Sequence, residues 1–134
     1  SVAAPKTLSS EQLNKLLNII EGQSQALDSN IEINALMDKV KKIVGNNLGI
    51  IRSELGLTEG QKQLSNLWLE IKDFDEQNKD AFELQQMVRL ANLMIEAASQ
   101  RTESRGVQFR SDFDKLDNSW AKTQTLVKAL RYSP

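Results

Sequence analysis

Apolar residues recur along this chain at helical spacing, in stretches separated by polar or glycine-containing segments. Ser9 followed three residues later by Gln12 can form a reciprocal capping box and start a first helix. Its apolar face is Leu13, Leu16, Leu17 and Ile20, the i, i+3, i+4, i+7 pattern of one helix side. Gly22 and Gln23-Ser24-Gln25 weaken it, and Asp28-Ser29-Asn30 supplies a break or a new cap. A second helix over 31–48 presents Ile33, Leu36, Met37, Val40, Ile43 and Val44, with stop signals at Gly45-Asn46-Asn47 and Gly49. Thr58 with Gln61 can cap a third over 58–75, whose face is Leu64, Leu67, Trp68, Ile71 and Phe74. After a polar turn the longest stripe runs over 80–104: Leu84, Met87, Val88, Ala91, Met94, Ile95 and Ala98, widened by Leu90, Leu93 and Ala97. A helix apolar over so much of its circumference is expected to be buried on two sides. Gly106 is placed to end it as the left-handed residue beyond the C-cap. Asp114 to Asn118 read as a turn, and Trp120, Val127 and Leu130 fit a last short helix.

These elements predict an all-α fold. The expected form is a three-helix up-and-down bundle of the spectrin-repeat type, with principal helices at about 31–48, 58–75 and 80–104. The weaker N-terminal helix packs across it and a short helix closes the chain. Residues 1–134 make one domain, with 1–7 loose and Ser1-Val2-Ala3-Ala4-Pro5 reading as a cut linker. Two prolines and six glycines in 134 residues favour helix throughout, and this length suits one core.

Composition removes whole classes of chemistry. There is no cysteine and no histidine, so disulfides, zinc–thiolate sites and every histidine-based triad are excluded. A net charge of −1 argues against a nucleic-acid partner. No apolar run is long enough for a bilayer, so no membrane partner is expected. Neither a Gly-x-Gly-x-x-Gly fingerprint nor a phosphate-binding P-loop occurs. Asp73, Asp75, Glu76 and Asp80 fit no calcium-loop spacing and read as a solvated turn. Trp68 and Trp120 read as core or interface anchors, and Met37, Met87 and Met94 as core filler. No catalytic, cofactor-binding or metal-ligating residue is expected.

One stretch reads as more than helical packing: Ala97-Ala98-Ser99-Gln100-Arg101-Thr102-Glu103-Ser104-Arg105-Gly106-Val107-Gln108-Phe109-Arg110-Ser111-Asp112-Phe113. Arg101 and Arg105, four apart near a helix C-terminus, suit the macrodipole and can pair with Glu103, Asp112 or Glu54. Capping charges alone account for them. The pattern Glu-Ser-Arg-Gly, two spacers, an aromatic, then Arg-Ser-Asp-Phe also resembles the segment closing the long C-terminal helix of the succinate dehydrogenase and fumarate reductase flavoproteins. L-aspartate oxidases belong to that superfamily, and the segment resembles theirs. Gly49-Ile50-Ile51-Arg52 is similar to the Gly-Ile-Val-Arg segment after the first helix of the same domain in those oxidases; read without the resemblance, 49–57 is a connection tucked over the core. The resemblance covers roughly 30–125, with its specific motif confined to Arg101–Phe113. One departure stands out: where the family shows histidine, this chain has Gln108, which can hydrogen-bond but cannot titrate.

The resemblance implies the C-terminal helical domain of an FAD-dependent L-aspartate oxidase, structural rather than catalytic by itself, in the bacterial cytoplasm. The parent would oxidise L-aspartate to iminoaspartate for NAD biosynthesis, with FAD, the nucleotide-binding sheet and the substrate-capping domain all upstream. Those upstream domains would be the partners. The candidates for interdomain contact are Arg101, Glu103, Arg105, Gly106, Gln108, Arg110 and Asp112, with Arg105 and Arg110 projecting from the bundle end. Loss of the neighbours would leave an apolar patch open to self-association. The same domain of a fumarate reductase or succinate dehydrogenase flavoprotein, and a free-standing helical interaction module, are the alternatives.

Overall fold

The computed structural model describes residues 7–126. Three helices account for most of them: α1, Ser10–Asn47; α2, Glu54–Ile71; and α3, Lys79–Gln100. All three pack on one another around Leu57, Leu64, Leu67, Ile71, Leu84, Val88 and Ile95, each fully sealed, with Val40 and Ile43 from α1. This is the all-α bundle that the stripes predict. Trp68 is buried with them, under the Arg89 guanidinium. At Gly60 the α1–α2 crossing leaves no room for a side chain: a Cβ there would lie 2.7 Å from Asn47 Cβ and 2.9 Å from Ile95 Cδ1.

The elements differ from expectation mainly at their ends. The Ser9–Gln12 capping box forms, but the helix it starts does not stop at Asp28-Ser29-Asn30. Each of those residues costs only a fraction of about 1 kcal/mol inside a helix, and propagation through them is cheaper than a new nucleation. Nor does this first half pack across the bundle. At 38 residues α1 is about 57 Å long, against roughly 27 Å for the 18 residues of α2. The surplus overhangs, and residues 10–28 are exposed throughout.

Helix α2 begins at Glu54, not Thr58. Ser53 caps it, accepting from the Gly56 amide at 3.2 Å, while Asp112, far along the chain, accepts from the Glu54 amide at 3.0 Å. The carbonyls of Ile71, its last residue, and of Phe74 in the turn beyond accept from the buried Gln85 side-chain amide at 3.0 and 3.3 Å. Helix α3 is capped by Asn78 and ends at Gln100, four residues early. It packs on both neighbours, yet Leu90 and Met94 lie exposed beside a groove between α1 and α3, so Met94 is not core filler.

Beyond the bundle, β1 (Ile51–Arg52) and β2 (Phe109–Arg110) pair in parallel, Ile51 with Phe109 and Arg52 with Arg110. Gly106 is not the terminating residue of α3. Its φ of 59° serves the tight turn Arg105–Gln108, whose ends exchange both backbone hydrogen bonds. The expected short last helix shows as a 3-10 turn over Asn118–Trp120; Val127 and Leu130 lie outside the described residues, as do residues 1–6 of the stretch expected to be loose. The connection at 49–57 is not tucked over the core. Leu48 and Leu57 anchor its two ends, but Ile50, Ile51 and Leu55 face outward.

Candidate functional site: the stitched end of the bundle

The segment 101–113 closes one end of the bundle by satisfying groups that helices leave unpaired. Arg110 is at its centre and is fully sealed. Its Nη1 donates to the Ala98 and Ser99 carbonyls at 2.9 and 3.1 Å, capping α3 where the helix dipole favours a cation. Its Nε and Nη2 hold Asp112 in a two-pronged grip at 2.8 and 2.6 Å, and Nη2 also reaches Glu54 at 3.1 Å. All five of its donors are thereby used. Asp112, so held, caps α2 from the other side. The Arg110 guanidinium beside it is the main reason its carboxyl titrates at about 2, against an ordinary 3.8.

Glu103 is the second node and is equally sealed. It accepts from Arg105 Nε and Nη2 at 2.9 and 3.1 Å, from Arg101 Nε at 3.0 Å and from the Asp117 amide at 2.9 Å. Burial opposes its ionisation, but the Arg105 hydrogen bonds dominate and bring its carboxyl to about 2. Arg101 and Arg105 do not share a helix face, because α3 has already ended; they clamp one carboxylate from two sides. Arg101 also reaches the Trp120 carbonyl at 2.6 Å, which ties down the chain beyond.

Gln108 links the two halves. Its amide nitrogen donates to the Arg101 and Glu103 carbonyls at 3.2 and 3.3 Å, and its oxygen accepts from Arg52 Nη1 at 3.3 Å. Arg52, Arg101 and Arg105 line a cleft of about 410 Å³ with Val107, Gln108 and an apolar floor.

The seven residues singled out in the sequence therefore come together, but not as expected. Arg110 does not project; it is an internal cap. Arg105 is about one-third exposed, and Gly106 is exposed at the turn. Beside exposed polar residues such as Ser111, Asp114 and Lys115, this end leaves three apolar side chains in the open: Ile50, Ile51 and Val107, with Val107 92% exposed. Sequence reasoning gave Arg52 no role, although an arginine inside an apolar run was its signal. Among the described residues no glycine-rich turn joins a strand to a helix. The strands are two residues long, and the Arg52–Ser53–Glu54 strand-to-helix turn has no glycine and meets a helix start already occupied by Ser53 and Asp112. No group of metal-ligating side chains forms among them either.

A helical bundle closed by an arginine-clamped segment defines the class to compare. The family described as "Fumarate reductase flavoprotein C-term" matches residues 37–133, and the chain belongs to it. An uncharacterised FAD-dependent oxidoreductase of Methanocaldococcus jannaschii is 29% identical over 82% of this chain and 20% of its own length. The L-aspartate oxidase 1 of Ralstonia nicotianae is 29% identical over 77% and 18%. The fumarate reductase flavoprotein subunit of Helicobacter pylori is 28% identical over 72% and 15%. The chain thus spans about a fifth or less of the length of these relatives.

Proposed function

We propose that this chain is the C-terminal helical domain of an FAD-dependent, cytoplasmic L-aspartate oxidase, docked by its stitched end on the flavin-binding and substrate-capping parts of the same protein. The observation that carries the docking is the outward apolar surface on a rigidly clamped segment. The β1–β2 pairing fixes the Ile50-Ile51 stretch and the Arg105–Gln108 turn fixes Val107, and all three side chains stand in the open, an arrangement with a clear use only if something covers them. The oxidase is preferred over a reductase on Gly49-Ile50-Ile51-Arg52, which is similar to the Gly-Ile-Val-Arg of the oxidases. In such an enzyme L-aspartate is oxidised to iminoaspartate by a flavin bound elsewhere in the protein, and no chemical step falls to residues of this chain. Their work is to fold, clamp and dock.

The test is to express the complete reading frame and assay it. A flavin-loaded protein that converts L-aspartate with consumption of oxygen or fumarate is the expected result, while the 134-residue chain stays colourless with added FAD. A complete protein that reduces fumarate but leaves L-aspartate untouched would place the domain in a reductase instead.

A further inference from the structure

Arg52 stands apart from the other guanidinium groups at this end. Arg101 and Arg105 share Glu103, and Arg110 pairs with Asp112 and Glu54. Arg52 makes no ion pair among the described residues. It is half-buried, and neutral acceptors fix its position: Nε donates to the Gly49 carbonyl at 3.1 Å and Nη1 to Gln108 Oε1 at 3.3 Å. Gln108 is itself oriented, because its amide nitrogen is committed to the Arg101 and Glu103 carbonyls. Only its oxygen is left to face Arg52. Arg52 Nη2 and Arg105 Nη1 hold no hydrogen bond among the described residues, and both side chains line the 410 Å³ cleft. Its floor is Leu48, Met94, Ala97 and Ala98, and among the described residues no aspartate or glutamate lines it.

A partly desolvated cation held in place by neutral groups is costly until an anion completes it. A guanidinium with a free edge matches the planar, two-oxygen shape of a carboxylate. We propose that this cleft is a carboxylate-binding site anchored by Arg52 and oriented by Gln108. The carboxylate is an acidic side chain of the part of the protein on which the bundle end docks. This second clause rests on the docking proposed above. The cleft is bordered by the almost fully exposed Val107, so an acidic side chain flanked by apolar ones would meet both features together.

Two arms test it. In the first, the 134-residue chain is titrated with sodium acetate at constant ionic strength, balanced with sodium chloride, while the arginine Nε–Hε resonances are followed by NMR. Saturable shifts are expected at Arg52 and Arg105 and none at Arg110. Arg52→Gln removes them, and so does Gln108→Glu, which hands Arg52 an internal carboxylate. Unchanged Arg110 resonances in both variants show that the end is still stitched. A response to acetate no different from that to chloride, or a shift that survives Arg52→Gln, overturns the site. In the second arm the flavin-binding part is supplied separately and its association with the chain is measured. Arg52→Gln is expected to weaken association about tenfold and to flatten its salt dependence, and Ile50→Ser to weaken it through lost apolar contact. Loss in Ile50→Ser with no change in Arg52→Gln leaves docking standing and overturns the carboxylate. No association of the unsubstituted chain overturns the docking, and with it the partner as the source of the carboxylate, whatever acetate does.

Discussion

At the scale of single residues, Arg110 ties two helix ends to its own segment: the end of α3 through the Ala98 carbonyl, and the start of α2 through Asp112 and directly through the Glu54 carboxylate. Replacing it with alanine orphans two helix carbonyls and leaves Asp112 without its clamp. Glu54 is two-thirds exposed and loses little, so the cost falls below that of a fully buried pair, at about 2–4 kcal/mol. Lysine keeps the charge but cannot grip Asp112 with two prongs while bonding two carbonyls. Arg110→Lys should therefore recover less than half of the loss, read from urea midpoints of the three proteins. Recovery of full stability by lysine would show that charge matters there and geometry does not.

The carboxylates of the same network set its response to acid. Glu103 and Asp112 titrate at about 2 in the folded chain, against ordinary values of 4.5 and 3.8. The folded values are depressed, so ionisation favours the fold. That contribution is complete above about pH 4.5, where both states are ionised. It falls as the unfolded chain begins to bind protons that the folded chain refuses, and it is gone near pH 2. Urea midpoints should be flat from pH 7 to 5 and drop between 4.5 and 2. Glu103→Gln should flatten part of that drop, and an unaltered slope would mean that Glu103 is not held ionised by Arg105 and Arg101. The charges of this network were legible in the sequence as a candidate set; their partners were not. Glu103 binds Asp117 and Asp112 binds Glu54 across 14 and 58 residues, and no local pattern encodes a contact of that span.

At the scale of elements, the interior of each helix could be read from its apolar period, because burial imposes that period on any helix packed from one side. The ends could not. Helix α2 starts where Asp112 arrives and α3 stops where Arg110 takes its carbonyls, so both boundaries are tertiary events. Gln85, a polar residue on a core-facing position, does the same for the end of α2. Continuity of α1 was hidden for the opposite reason: among the described residues no other element packs on residues 10–28, and their weak local stop signals do not suffice. An unsupported helical arm should fray. Amide exchange is expected to be fast from Leu13 to Leu27 and slow from Val40 to Val44, where α1 joins the core. Gly22→Ala should slow exchange in the arm without moving the global urea midpoint, since the added methyl meets nothing. Equal protection along the whole of α1 would mean that the arm has a partner in solution.

At the scale of the whole molecule, the arm is an open apolar surface in addition to the stitched end and the α1–α3 groove. The arm carries Leu13, Leu16, Leu17, Ile20, Leu27 and Ile31 along one stripe, each between 44% and 61% exposed. About half of each side chain is already covered, leaving roughly 1 kcal/mol apiece to gain from a partner. Association costs at least about 4 kcal/mol before any contact counts. Two arms laid together would also place like charges side by side, because Glu11, Glu21, Asp28 and Glu32 face a single lysine, Lys15. Burial wins over repulsion only by a small margin, so the expected pairing is weak and strengthens with salt, as screening removes the repulsion. Sedimentation equilibrium should show a monomer–dimer balance that shifts toward dimer between 0.05 and 0.5 M sodium chloride, both on the order of the ionic strengths that span strong and weak screening. Leu16→Glu with Ile20→Glu should hold the chain monomeric throughout. If those two substitutions leave the balance unchanged while Ile50→Ser abolishes it, the copies meet through the stitched end, and the surface that pairs them is the one proposed to meet the flavin-binding part.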